Sequence, residues 1–176
     1  TSGCLVLGRH RKATAHLGLL FKHGKIGKTY WAVVEGGPAE DAGTIDMPLG
    51  RLNAERGWWQ KPDAKGQPAV TNWRVLGRAP GLAWLALSPL TGRTHQLRVH
   101  CAAMGWPIVG DAIYGTAPRG GATMLHLHAR EIIVPISRNK EPARVVAPVP
   151  AHMRERLAAC GWRVEIVETP TASRGD

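Results

Sequence analysis

A chain of 176 residues is the length of one domain and can bury a core without disulfides or a metal. With 44% apolar and 20% charged residues it is globular, which excludes an intrinsically disordered chain. The formal charge of +10 predicts attraction to a polyanion, nucleic acid first, against the plainer reading of a merely soluble basic protein. Cys4, Cys101 and Cys160 are far apart and form no C-x-x-C, so a reducing, cytoplasmic setting is expected. No apolar run approaches the roughly 20 residues of a membrane span, and no signal peptide is visible.

In chain order, Cys4-Leu-Val-Leu7 reads as a buried strand. With no initiator methionine before it, the chain is expected to open in the middle of a domain. Ala13, Leu17, Leu20 and Phe21 share one face of a helix that Gly24 ends. Lys28 to Glu35 reads as a strand, with Tyr30, Ala32 and Val34 on one face and Trp31 and Val33 on the other. No acid precedes Glu35, whereas Arg9, Arg11, Lys12, Lys22, Lys25 and Lys28 do; beside apolar segments this predicts a binding face. Residues 43 to 66 read as strand pieces and a loop. Within it, Glu55 to Gln67 with Trp58-Trp59 is either a substrate contact or a packed satellite cluster. Strands at Ala69–Leu76 and Leu82–Leu87, joined by Gly77–Gly81, predict a hairpin.

A helix follows, with Thr94 as its cap, Leu97, Cys101 and Met104 toward the core, Arg98 on the flank and Gly105 as the stop. Between Leu125 and Ile136 the apolar alternation changes parity, which predicts a bulge near Arg130-Glu131. Pro150 opens a last helix with Met153, Leu157 and Cys160 on one side and Gly161 as its stop. Residues 162 to 176 are expected to form a terminal strand or tail, disordered from Thr169. The class is α+β: a mixed, mostly antiparallel sheet flanked by short helices.

Three sets of residues carry possible chemistry. Arg93, His95, Gln96, Arg98 and His100 fall within eight residues that contain no acid. Arginine pairs two-point with phosphate or carboxylate, and Arg98 beside a core stripe needs an anionic partner; a structural ion pair is the competing reading. Tyr30 is either a core tyrosine or a stacking and proton-transfer group. His126 and His128 share a strand face, but no cysteine or carboxylate pattern completes a metal site, so no metal or cofactor is expected. Asp111, in a tight turn, is read as an acceptor of backbone donors. A Gly-rich phosphate loop, a G-x-S-x-G elbow and a dinucleotide fingerprint are all missing.

The segment GRTHQLRVHCAAMGWPIVGDAIYG (Gly92–Gly115) closely resembles the third conserved motif of the RluA group of pseudouridine synthases. KTYWAVVEG (Lys28–Gly36) resembles its tyrosine motif, and TSGCLVLGR (Thr1–Arg9) the tail of its catalytic motif. Gln67–Leu76 and LHLHARE (Leu125–Glu131) are also similar. The resemblance covers the chain to about Gly161, so residues 1–161 are expected to be a partial pseudouridine synthase catalytic domain. It implies isomerisation of uridine to pseudouridine in ribosomal or transfer RNA, without cofactor or metal. The uracil leaves C1′ of the ribose with help from an aspartate, turns, and rejoins through C5.

By motif position Tyr30 would stack on the base and move a proton, and Arg98 would pair with that aspartate. Asp111 and Tyr114 would be turn residues. Arg9, Arg11, Lys12, Lys28, Arg93, His95, Gln96 and His100 are the expected RNA contacts. RNA is the expected partner, with neither a membrane nor an obligate protein partner. In the family motif, His-Arg-Leu-Asp-x-x-Thr-Ser-Gly, the aspartate stands three residues before the position of Thr1. This chain is therefore expected to be inactive by itself. The alternative is a non-catalytic RNA-binding module of the same fold.

Overall fold

The computed structural model describes residues 1–53, 58–137 and 139–163. A seven-stranded sheet runs in the order β1-β8-β2-β7-β6-β3, with β9 beside β8. Its strands are β1 (Ser2–Gly3), β2 (Gly27–Glu35), β3 (Ala42–Asp46), β6 (Val70–Ala79), β7 (Leu82–Pro89), β8 (Leu127–Val134) and β9 (Ala143–Val146). A separate hairpin pairs β4 (Leu49–Arg51) with β5 (Gln60–Pro62). Every pairing is antiparallel except β1 with β8. The expected α+β class with a mixed, mostly antiparallel sheet is what folds.

The alternation along β2 sets the layers. Ala32 and Val34 pack with Leu85, Leu87, Leu97, Cys101 and Trp106, so α2 (Gln96–Ala103) covers that face. Val33 packs with Trp84, Met153, Leu157 and Cys160, so α3 (Ala151–Ala159) covers the other. Both faces of β2 are therefore dry, which explains its near-continuous apolar sequence. The parity change in β8 is a bulge: Tyr30 of β2 pairs with Ala129, while the preceding Thr29 pairs with Glu131, leaving Arg130 as the extra residue.

Five expectations are corrected. Cys4 to Leu7 form no strand; Leu5 is 80% and Leu7 76% exposed. They line a groove of about 630 Å³ with Leu17 and Leu20 of α1 (Arg11–Lys22) and Ile132, Val134 and Val145 of β8 and β9. No residue of α1 is buried, so its apolar face is half covered rather than packed into a core. Thr94 is not the cap of α2; His95 holds that position in the left-handed conformation at φ 54°. Met104, the residue at which α2 ends, is exposed rather than turned into the core. The hairpin turn is also tighter than expected. β6 runs to Ala79, and a bulge between Val75 and Gly77 absorbs the extra residue. Residues 164–176 lie outside the described residues, and so does the disorder expected from Thr169.

Candidate functional site: the cleft at the N-terminus of α2

β2 presents Tyr30 on the face that α2 covers, just where α2 begins. A cleft of about 530 Å³ opens there, lined by Thr1, Phe21, Lys28, Tyr30, Thr91, Arg93, His95, Gln96, Arg98, Leu125 and Leu127 among others. Of the expected site residues, Tyr30, Lys28, Arg93, His95, Gln96 and Arg98 thus meet in one place. Arg9 lies in the apolar groove instead, and Arg11 and Lys12 are exposed on α1. His100 lies outside the cleft lining.

Arg98 is the best-defined member. Its Nε donates to Asp111 Oδ2 at 2.8 Å and its Nη2 to Asp111 Oδ1 at 2.7 Å. The pair is largely buried, with the side chains 15% and 1% exposed. Asp111 Oδ1 also accepts the amides of Ile113 and Tyr114, as expected of a turn aspartate. Burial alone would raise its pKa. The hydrogen bonds from Arg98, Tyr114 and Ile113 and the charge of Arg98 outweigh that and hold it below the usual carboxylate value. Gly110, at φ 78°, lets the turn pass: a Cβ there would strike the Met124 carbonyl. The sequence reading paired Arg98 with an aspartate of the upstream motif. In the fold its Nε and Nη2 are engaged by Asp111, and Nη1 makes no hydrogen bond among the described residues.

Tyr114 was read as a turn residue only. Its ring lies under the Arg98 guanidinium, 5.1 Å from carbon to centroid. Its hydroxyl meets His95 Nδ1 at 2.8 Å and accepts the Gln60 amide at 3.0 Å, tying α2 to the β4–β5 hairpin. His95 is the sole non-glycine residue with positive φ among the described residues, a strained conformation that aims its ring at Tyr114. Burial and the Arg98 charge push the His95 pKa down. Phe21, also missed, lines the cleft from α1. Its helical spacing hid it among core positions; being the chain's single phenylalanine was the only available signal.

Two expected RNA contacts are corrected. Gln96 is 3% exposed, and its amide is fully engaged. Oε1 accepts from Thr91 Oγ1 and the Arg93 amide; Nε2 donates to the Val70 carbonyl and Thr71 Oγ1. It builds the Thr91–Arg93 turn from behind. His100 is fully buried between Thr71 Oγ1 and the Met47 carbonyl. Their polarity serves buried satisfaction, which residue type alone does not distinguish from ligand contact.

The cations that do reach the cleft are Lys28, whose pKa burial lowers, and Arg93, whose Nε donates to the Pro68 carbonyl. Burial, then the proximity of Cys4, raises the Tyr30 pKa, so its phenol stays protonated at neutral pH. His126 and His128 go elsewhere: His126 to the Met124 carbonyl and Arg156, His128 to Ser2 and the Ala147 carbonyl. The site is an open, cation-rimmed cleft whose lining includes a protonated phenol and a braced guanidinium. Such a pocket suits a planar, hydrogen-bonding group attached to phosphate.

Residues 1–103 match the RNA pseudouridylate synthase family. An uncharacterised RNA pseudouridine synthase of Zymomonas mobilis is 43% identical over 85% of this chain and 69% of its own length. The dual-specificity RNA pseudouridine synthase RluA of Yersinia pestis is 38% identical over 76% of this chain and 66% of its own. The solved structure of human RNA pseudouridylate synthase domain containing 1 superposes with a TM-score of 0.67 at 33% identity, covering 81% of this chain and 62% of that one. The chain thus spans between about half and two thirds of the length of the curated relatives it matches.

Proposed function

Because the chain belongs to the RNA pseudouridylate synthase family as an RluA-group domain, we propose that its cleft receives a uridine flipped out of RNA and positions it for isomerisation to pseudouridine. In that reaction the N1–C1′ bond breaks and a C5–C1′ bond forms. C5 loses its proton and N1 gains one, so atoms balance without a co-reactant. The observation that carries the reading is the convergence of Tyr30 and Arg98, from separate motifs, on one cleft beside Thr1.

Extrusion of the base costs a few kcal/mol. The Tyr30 ring offers a stacking face, and Lys28 and Arg93 offer phosphate partners. Tyr30, a neutral phenol whose pKa burial raises further, would exchange a proton with the base or the ribose. Arg98 Nη1 is available to orient a carboxylate, while Asp111 fixes the plane of the guanidinium.

Among the described residues lining the cleft there is no carboxylate, and Asp111 is 1% exposed and already accepts from three residues. On this reading the 176 residues bind and orient, and turnover needs a further carboxylate. The substrate class on this reading is ribosomal or transfer RNA, as the family implies. No helix among the described residues is long and apolar enough to cross a membrane.

The test compares the 176-residue chain with a version carrying the family's His-Arg-Leu-Asp-x-x ahead of Thr1, on ribosomal and transfer RNA, with pseudouridine read by mass spectrometry of nucleosides. Pseudouridine should form with the extended version only, and Tyr30→Phe should slow it by about 10² or more. RNA binding by both versions with no product from either would instead establish the non-catalytic module.

A further inference from the structure

Beside the cleft lies a second concavity of about 470 Å³ between the β4–β5 hairpin and the Gly92–Thr94 turn. Its lining includes three exposed cations, Arg51, Lys65 and Arg93, together with Trp58 and the amides Gln60 and Gln67. No carboxylate is among its described lining residues. Asp63, on the same hairpin, accepts the Lys65 amide.

Trp58 is 58% exposed, so the packed-cluster reading of this loop does not describe it. Its indole is nonetheless held. It meets Trp59 edge-on at 5.9 Å and His95 at 5.4 Å. An exposed indole fixed among cations is poorly matched to water and well matched to a ligand that is flat, aromatic and anionic at once. Gly92 and Arg93 line both concavities, so one chain of nucleotides can occupy the two in succession.

We infer that this concavity binds the nucleotide flanking the target uridine in single-stranded RNA: its base stacks on Trp58, and its phosphate is held by Arg51, Lys65 and Arg93. The inference rests on the reading of the neighbouring cleft as the uridine site. It also gives a purpose to the strained cap: His95 steadies Trp58 on one side and touches Tyr114, beneath Arg98, on the other. Occupancy of the flanking site is thereby linked to the orientation of the guanidinium.

The experiment is anisotropy of the 176-residue chain with a labelled octauridylate, and with the same oligomer carrying an abasic ribose next to its central uridine. Trp58→Ala should weaken octauridylate binding about tenfold, the usual size for one lost base–aromatic stack, and Trp58→Phe should restore most of it. With the abasic oligomer, wild type and Trp58→Ala should bind alike. Equal binding of octauridylate by wild type and Trp58→Ala, while Tyr30→Ala weakens it, removes the flanking site and leaves the uridine cleft standing. An equal loss on inorganic polyphosphate also removes it, since charge alone is then being measured. No binding of octauridylate by the wild-type chain overturns the cleft and the flanking site together.

Discussion

Arg98 and Asp111 form the residue-level centre of the site, and their geometry sets what each substitution costs. Asp111 is 1% exposed, so removing its partner leaves a buried charge with only two amides. Arg98→Ala should therefore destabilise the fold by about 3–5 kcal/mol, read by denaturant unfolding. The pair also has a pH signature. Asp111 titrates below the ordinary aspartate range, so its contribution is complete above that range and disappears as pH falls through the lower folded value. Asp111→Asn should remove that part of the acid unfolding curve. Tyr30→Phe tests a different property: it keeps the stacking face and loses the proton. In the N-terminally extended protein it should lower the rate by about 10² or more while leaving RNA affinity near wild type.

At the scale of the element, the bulges and turns do the aiming. The Arg130 bulge in β8 was legible, because the apolar parity of Leu125 to Ile136 switches there and a period-two strand allows no other repair. The bulge at Gly77 was not. It depends on α3, since a Cβ on Gly77 would strike the carbonyl of Cys160, 83 residues away in sequence by their numbering. Gly77→Ala should therefore cost about 1–3 kcal/mol, seen as a lowered melting temperature. The same contrast holds for α2. Leu97 and Cys101 announced its core face, but the cap is a left-handed His95 that no capping rule selects. Gln96 shows why. Its side chain engages the Thr91–Arg93 turn and β6 at once, and so fixes the path by which the chain enters the helix through long-range contacts.

For the molecule as a whole, the histidines and the net charge govern how it responds to solution conditions. His100, His126 and His128 are at most 2% exposed, and burial is the leading cause that lowers each pKa from 6.5. A buried neutral histidine stabilises fully above its unfolded pKa; as pH falls below that, the unfolded state gains protons first. The melting temperature should thus fall between pH 7.5 and pH 5.5, well before any carboxylate is protonated. On the proposed RNA function, the charge of +10 would act on affinity instead. If Lys28, Arg51, Lys65 and Arg93 each neutralise a phosphate, the logarithm of the single-strand binding constant should fall against log salt with a slope of about −3. Replacing Arg51 by Ala should flatten that slope by about 0.7.

What the sequence determined by itself was whatever is local or periodic: the central strands β2, β6, β7 and β8, the three helices, the two faces of β2, the β8 bulge, the turn role of Asp111 and the family motifs. Tertiary structure alone decided which polar groups face the cleft and which are spent inside. Arg98, Gln96 and His100 sit within five residues of one another on one helix, yet the first borders the cleft while the amide of the second and the ring of the third are used up by β6 and its neighbours. That division depends on partners 25 to 53 residues away in sequence, and a donor looks the same in a sequence whether its acceptor is a ligand or a distant strand.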